Sequence, residues 1–205
     1  MSPLRAQAAV TVADIAWRYA QHGSGLAAAA LAGARRLDPL RHYPRGDVID
    51  QLHRTGFFYH AHASARRPAA EHGHFHLFTY TRVAQQWRHT HLVALSLDAF
   101  GVPLRWFTVN DWVTGGRWRA ADTLLAPLQR FEVATSGRLA PVAAWLTAMV
   151  RMYSSLIATL LHERDRLLCM PLDRSDRGVE VVTQRRIDLL RDLWHIGAGL
   201  GPATG

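Results

Sequence analysis

Two short runs of the chain, FFYHAH at residues 57–62 and EHGHFHLFTY at residues 71–80, carry its clearest structural pattern. In the second run polar and apolar residues alternate with a period of two, which is typical of a β-strand with one face on a core. The first run is rich in aromatic residues, which favour strands. The sequence therefore predicts two neighbouring antiparallel strands joined as a hairpin.

These two runs hold five histidines: His60, His62, His72, His74 and His76. Residues i and i+2 of a strand point to the same face, so the histidines of each run share a face. Opposed residues on antiparallel strands also point the same way. A hairpin centred on Arg67, or one centred on Pro68, would therefore bring both sets to one face. A slip by one residue would separate them, so the strand register tests whether the histidines converge.

A histidine cluster of this density favours a metal site. Neutral imidazole is the commonest protein ligand for divalent transition metals, and the pattern does not choose among Zn, Fe, Cu, Ni and Mn. Along an extended strand His72 and His76 lie about 13 Å apart. One ion would therefore take two adjacent histidines of this run and one or two from the partner strand. The alternative is a metal-free network of histidines or a pH-sensitive face.

Other polar residues near the cluster are candidates for the same site. Glu71 precedes the cluster and is the predicted acid–base catalyst. His91 follows His89 with i, i+2 spacing on the next predicted strand and is a secondary ligand candidate. Asp111 could bind a metal or orient a histidine. Loop residues beside a rigid sheet often carry function, and the substrate-binding candidates are His42, Tyr43, Arg45, Asp47 and Asp111.

Further strands are predicted at residues 91–99 and 104–113, which gives an antiparallel sheet of about four strands. Along 91–99 the alternation places Leu92 with Ala94 on one face and Val93 with Leu95 on the other.

Helices are predicted in both terminal parts of the chain, so the predicted class is α+β, an antiparallel sheet packed by N- and C-terminal helices. We predict a single domain over residues 1–205. It comprises an N-terminal helical arm (1–40), the sheet with the histidine cluster (55–115) and a helical part (120–197).

The composition narrows the class of protein. With 205 residues, 49% hydrophobic and 20% charged, the chain can bury a core, and disorder is excluded. A single cysteine excludes an intramolecular disulfide and fits a reducing compartment, so we predict a cytoplasmic protein. The apolar stretch 143–161 carries Arg151 near its centre, which disfavours a membrane span. The net charge of +8 comes from arginines that form no run longer than two, which disfavours nucleic acid as a partner without excluding it.

Four segments resemble an uncharacterised bacterial protein family of unknown function. They are HYPRGDV at 42–48, YHAH at 59–62, EHGHFH at 71–76 and NDWVTG at 110–115, which contain the motifs HYPxGDV, HAH, EHGHFH and WVTG. The resemblance extends into the C-terminal helices and so covers most of the chain. It implies a bacterial, cytoplasmic protein and supplies no catalytic roles.

Three functional hypotheses follow from these patterns. The first is a metal-binding protein, a small bacterial metalloenzyme that acts as a hydrolase or oxidoreductase on a small-molecule substrate. The second is a non-enzymatic binding module whose arginine-rich surface holds an anionic partner, either nucleic acid or an acidic protein. The third is a metal sensor or storage protein. No membrane partner is expected, and a homodimer is compatible with all three.

Overall fold

The structure is a computed structural model that describes residues 2–63, 68–169, 174 and 176–199. Its helices are α1 (Pro3–Gln21), α2 (Leu26–Ala30), α3 (Asp111–Thr114), α4 (Ala121–Gln129), α5 (Ala140–Met152), α6 (Ser154–Cys169) and α7 (Leu189–Ala198), with a 3-10 turn at Gly137–Leu139. Its strands are β1 (Tyr43–Asp50), β2 (Thr55–His60), β3 (Gly73–Val83), β4 (Gln86–Leu97), β5 (Pro103–Val109) and β6 (Val181–Arg186).

The strands form one antiparallel sheet in the order β1-β2-β3-β4-β5-β6, so every strand pairs with its neighbours along the chain. The predicted α+β class is confirmed, because helices precede the first strand and follow the last strand along the chain. The expectation of about four strands was wrong, because the sheet has six. Both additional strands, β1 and β6, lie at its edges.

The edge strands were missed for two local reasons. β1 carries Pro44 and Gly46, residues that are uncommon inside strands. An edge strand tolerates proline, and the pairing with β2 is irregular between Tyr43 and Val48. β6 lay inside a region predicted as helix. The helix begins later, at Leu189, because the side chain of Asp188 accepts a hydrogen bond from the backbone N–H of Arg191 and caps it.

One face of the sheet packs against the helices and forms the main core. Phe57 and Tyr59 of β2, Phe75 of β3 and Trp106 of β5 lie fully buried in it. Helix α5 supplies the facing side chains, including Trp145. Burying each large apolar side chain is worth about 1.5–3 kcal/mol, so this face fixes which way β2 and β3 present their remaining residues.

The apolar stretch 143–161 belongs to two helices, α5 and α6, which meet at Tyr153. Among the described residues, no single helix is long and apolar enough to cross a membrane. One bent pair, Gly137–Met152 and Ser154–Leu168, meets the length and composition criteria with a 73° bend. The cytoplasmic location stays a prediction.

Asp50 at the end of β1 ties the β1–β2 turn to the segment before α5. Its carboxylate accepts hydrogen bonds from the backbone N–H groups of Leu52, His53 and Ala134, and it lies 2.6 Å from the His53 ring nitrogen Nδ1. Burial acts to raise the pKa of Asp50, but the hydrogen bonds outweigh it and the pKa lies below the usual 3.8. The hydrogen bond to Asp50 raises the pKa of His53 above 6.5.

We expect His53→Gln to lower the free energy of unfolding by about 1 kcal/mol near pH 6 and by less near pH 9. A histidine whose folded-state pKa is raised contributes fully below its unfolded pKa, and the contribution is lost as pH rises through the folded value. Urea unfolding at both pH values measures the effect. His195→Gln, at an exposed position on α7, is the control. A loss of equal size at both pH values would contradict the assignment.

Candidate metal centre

The register of β2 on β3 brings histidines from the two strands together. His60 lies opposite His74, and Phe58 lies opposite His76. This is the pairing that a hairpin centred on residue 67 produces, although residue 67 itself lies outside the described residues. The predicted convergence is confirmed for His60, His74 and His76, which share the sheet face opposite the main core.

The three imidazole rings point their Nε2 atoms at one another. His60 Nε2 lies 2.8 Å from His74 Nε2 and 3.2 Å from His76 Nε2. One ligand atom from each of the three residues lies within 4.8 Å of the others. Nitrogens bound to a tetrahedral ion at about 2.0–2.1 Å would lie about 3.3 Å apart. Small ring rotations would therefore place all three nitrogens on a single ion.

Two of the three imidazole rings contact a second polar group through Nδ1, the nitrogen that faces away from the other two rings. His74 Nδ1 lies 2.7 Å from the Glu71 carboxylate, whose other oxygen accepts from Arg105 at 3.2 Å. His76 Nδ1 lies 3.0 Å from His91 Nε2. Because an ionised carboxylate can only accept, His74 Nδ1 carries a proton, and its Nε2 presents a lone pair to the cluster. Metal-binding histidines are commonly oriented in this way.

Burial keeps the histidines of the cluster neutral. It lowers the pKa of His60 to about 2 and that of His91 to about 3, and it holds the pKa values of His74 and His76 below 6.5. Burial acts in the opposite sense on Glu71, but the hydrogen bond from His74 and the charge of Arg105 outweigh it and lower its pKa. At neutral pH the site therefore combines neutral imidazoles with an ionised carboxylate.

A β-bulge in β4 brings His91 to this face. Leu77 of β3 pairs with Val93, whereas the next residue, Phe78, pairs with His91, so Leu92 is the extra residue. Leu92 and Val93 are both buried in the main core. Strict alternation had placed these two residues on opposite faces and His91 on the face of Val93. Two consecutive apolar residues that both belong to the core, Leu92 and Val93, mark the bulge, and the prediction from the sequence missed this mark.

Phenylalanines surround the histidines on the same face. The ring centroid of Phe58 lies 5.1 Å from that of His76, and the centroid of Phe107 lies 5.3 Å from that of His74. Phe78 lies 5.6 Å from His91. This apolar frame excludes water from most of the cluster, which strengthens electrostatic interactions within it.

A cavity of about 50 Å³ adjoins the cluster on one side. It is lined by the buried His74 and His76 and by the partly exposed His62 and Glu180. A water molecule needs about 10–15 Å³ of such space, so the cavity admits water or a small ligand atom. His62 Nδ1 lies 3.7 Å from the Glu180 carboxylate. Sequence reasoning missed Glu180, because only the pairing of β5 with β6 brings this distant residue to the site.

The structure does not bring His72 to the three converging rings. Its Nδ1 atom lies 2.8 Å from the hydroxyl of Tyr59, a residue of the main core on the other face. His72 lies just before β3, which begins at Gly73. The alternation of side chains along the strand therefore does not determine which face His72 points to. His62 follows the end of β2, and its ring centroid is 5.2 Å from that of His60.

The remaining candidates lie around the site at different depths. His42 stacks on Phe58 at 3.6 Å between ring centroids, and its Nδ1 is 2.9 Å from Asp47. Tyr43 is buried, and its hydroxyl donates to the Arg36 carbonyl. Arg45 is exposed, and Asp111 begins α3 and lines a small cavity together with His91. Substrate binding by these residues stays a prediction.

The fold and the site define an α+β protein with a buried histidine cluster on the sheet face opposite the main core. Residues 6–193 match the model of a family described as Domain of unknown function (DUF6969), and the chain belongs to this family. This confirms the resemblance to an uncharacterised family. No curated protein and no solved structure matches the chain.

We expect Gly73→Ala to destabilise the hairpin that carries the cluster. A Cβ atom at Gly73 would lie 2.6 Å from the backbone oxygen of His60 and 2.8 Å from the Tyr59 ring, so β2 and β3 would have to separate. The expected loss is about 1–3 kcal/mol in urea unfolding. Gly197→Ala is the matched control, because among the described residues no atom beyond its chain neighbours and its own helix backbone lies within 4 Å of the added Cβ. Equal stability of the two variants would contradict this close approach.

Proposed function

We propose that the protein binds one divalent transition-metal ion through the Nε2 atoms of His60, His74 and His76. The observation that carries the proposal is the convergence of three buried imidazole nitrogens within 4.8 Å. Without a cation, only a proton on His60 Nε2 could bridge to the two facing nitrogens, since His74 donates its own proton to Glu71. A single ion satisfies all three lone pairs at once. An all-imidazole set accommodates Zn, Fe, Cu or Ni, and Mn less readily.

The proposed site is of the catalytic type. Three protein ligands with an adjoining cavity leave room for a further ligand, whereas structural zinc sites are closed by four protein ligands. A bound ion supplies Lewis acidity or, with a redox-active metal, electron transfer. We therefore propose a small metalloenzyme, either a hydrolase or an oxidoreductase, that acts on a small molecule. A metal sensor or store would use the same ligands and is the second candidate.

Each neighbouring residue has a proposed role in this site. Glu71 orients His74, because one of its oxygens contacts His74 and the other contacts Arg105. Its role as an acid–base catalyst stays a prediction. His62 and Glu180 line the same cavity and are partly exposed, so we propose that a substrate enters beside them. We further propose a cytoplasmic location, which the single cysteine supports.

The test is the metal content of the purified protein and of three single variants. We expect about one ion per chain in protein never exposed to chelator, because the three nitrogens fit one ion. His60→Ala, His74→Ala and His76→Ala should each lose most of the metal, as measured by inductively coupled plasma mass spectrometry.

His72→Ala is the matched control for this series. It removes a histidine from the same motif that contacts Tyr59 instead of the converging rings, so it should retain the metal. Protein without stoichiometric metal, and with none regained on addition of Zn²⁺, Fe²⁺, Co²⁺, Ni²⁺ or Cu²⁺, would refute the proposed function.

We expect Glu71→Gln to weaken metal binding by about 10- to 100-fold, the range found when the partner of a metal-bound histidine is removed. The amide no longer supplies a negative charge to the His74 ring. Competition with a chromophoric chelator measures the affinity, and circular dichroism verifies the fold. Glu132→Gln removes a carboxylate that pairs with Arg151 on the surface, and it should leave the affinity unchanged. Equal effects of the two substitutions would argue against the orienting role.

A further inference from the structure

A second cavity, of about 330 Å³, lies beside the metal-side cavity. The two share Glu71 and Arg105 as lining residues, and the second also includes Ser96, Arg186 and Ile187. Its volume lies at the lower end of the range for small-molecule sites. Arg105 therefore stands between the histidine cluster and a space large enough for a small ligand.

The positive charge of this cavity is only partly balanced. Arg105 and Arg186 are directly opposed on β5 and β6, and like charges in such positions destabilise a sheet. Glu71 pairs with Arg105 at 3.2 Å. Within the described ranges Arg186 forms no ion pair. An anion between the two guanidinium groups would relieve the repulsion.

Ser96 supplies an unused hydrogen-bonding group to the same cavity. It is fully buried, and its hydroxyl has no hydrogen-bond partner among the residues that the structure describes. In the sheet it lies opposite His74 on one side and Arg105 on the other. A buried hydroxyl without a partner is unfavourable, and an oxyanion would accept a hydrogen bond from it.

The remaining lining residues are apolar except Gln184, whose side-chain oxygen accepts a hydrogen bond from Arg105. Leu104 of β5 and Ile187, just after β6, line it together with Pro68 and Ala70. A ligand that fills the cavity would therefore combine a charged group with a short hydrocarbon part. Phosphate alone would occupy only the charged end.

We propose that this cavity binds a small organic anion. Its carboxylate or phosphate group contacts Arg105, Arg186 and Ser96, and its hydrocarbon part lies along Leu104 and Ile187. This binding does not require a metal. The further assignment of the anion as the substrate of the metal centre rests on the proposed function.

The first experiment measures binding of hexanoate and of inorganic phosphate to the full-length, chelator-treated protein by calorimetry. Arg186→Gln should weaken both ligands about tenfold, as expected for one lost charge-assisted hydrogen bond. Ile187→Ala should weaken hexanoate about threefold and leave phosphate unchanged. Phosphate that binds as well as hexanoate would show that the oxyanion alone is recognised and would overturn the organic-anion assignment.

Arg185→Gln is the matched control for charge. This neighbouring arginine points to the other face of β6 and pairs with Glu163 at 2.6 Å. It should leave both affinities unchanged, which separates local recognition from the net charge of the chain. Equal effects at positions 185 and 186, or no binding of either anion, would overturn the proposal.

The second experiment separates this inference from the proposed function. In protein loaded with Co²⁺, hexanoate bound in the cavity should show paramagnetic broadening of its proton resonances. Arg186→Gln should reduce this broadening about tenfold at subsaturating hexanoate, in proportion to the lower bound fraction. If hexanoate binds but neither Co²⁺ nor Zn²⁺, Fe²⁺, Ni²⁺ or Cu²⁺ does, the organic-anion site stands and the metal proposal fails. If both bind and no broadening occurs, the assignment of the anion as substrate is overturned.

Discussion

The cross-strand pairing of His60 with His74 is the constraint on which the site depends. The same register that aligns these histidines buries Phe57, Tyr59 and Phe75 on the opposite face. A shift by one residue would expose those aromatic rings, so the hydrophobic core holds the register. The geometry of the polar centre is thus maintained by the packing of an apolar layer that never touches it.

Burying the polar groups of the histidine cluster in an apolar surrounding costs desolvation free energy, and the contacts within the cluster offset much of this cost. His74, Glu71 and Arg105 form a continuous chain of contacts that ends at β5, so the buried carboxylate is shared between two donors. His76 and His91 extend the chain in the other direction. The Nδ1 atoms of His60 and His91 have no partner within the described part of the chain. Such incomplete satisfaction is typical of functional sites.

The alternation of residues in β2 and β3 was sufficient to predict the shared face, because strand parity is a local property. It was insufficient for His91, since a bulge at Leu92 reverses the parity of the next strand. It also failed for His72, which precedes β3 and turns towards Tyr59. Glu180 reaches the site through a pairing between distant segments, which no local pattern contains.

The meander order of the sheet affects how the molecule folds. All three proposed ligands come from a single hairpin, β2–β3, and its contacts are close in sequence. Short loops close at low entropic cost, so proteins rich in local contacts fold quickly. The proposed ligands are therefore separated by at most 16 residues along the chain, so bringing them together costs little chain entropy.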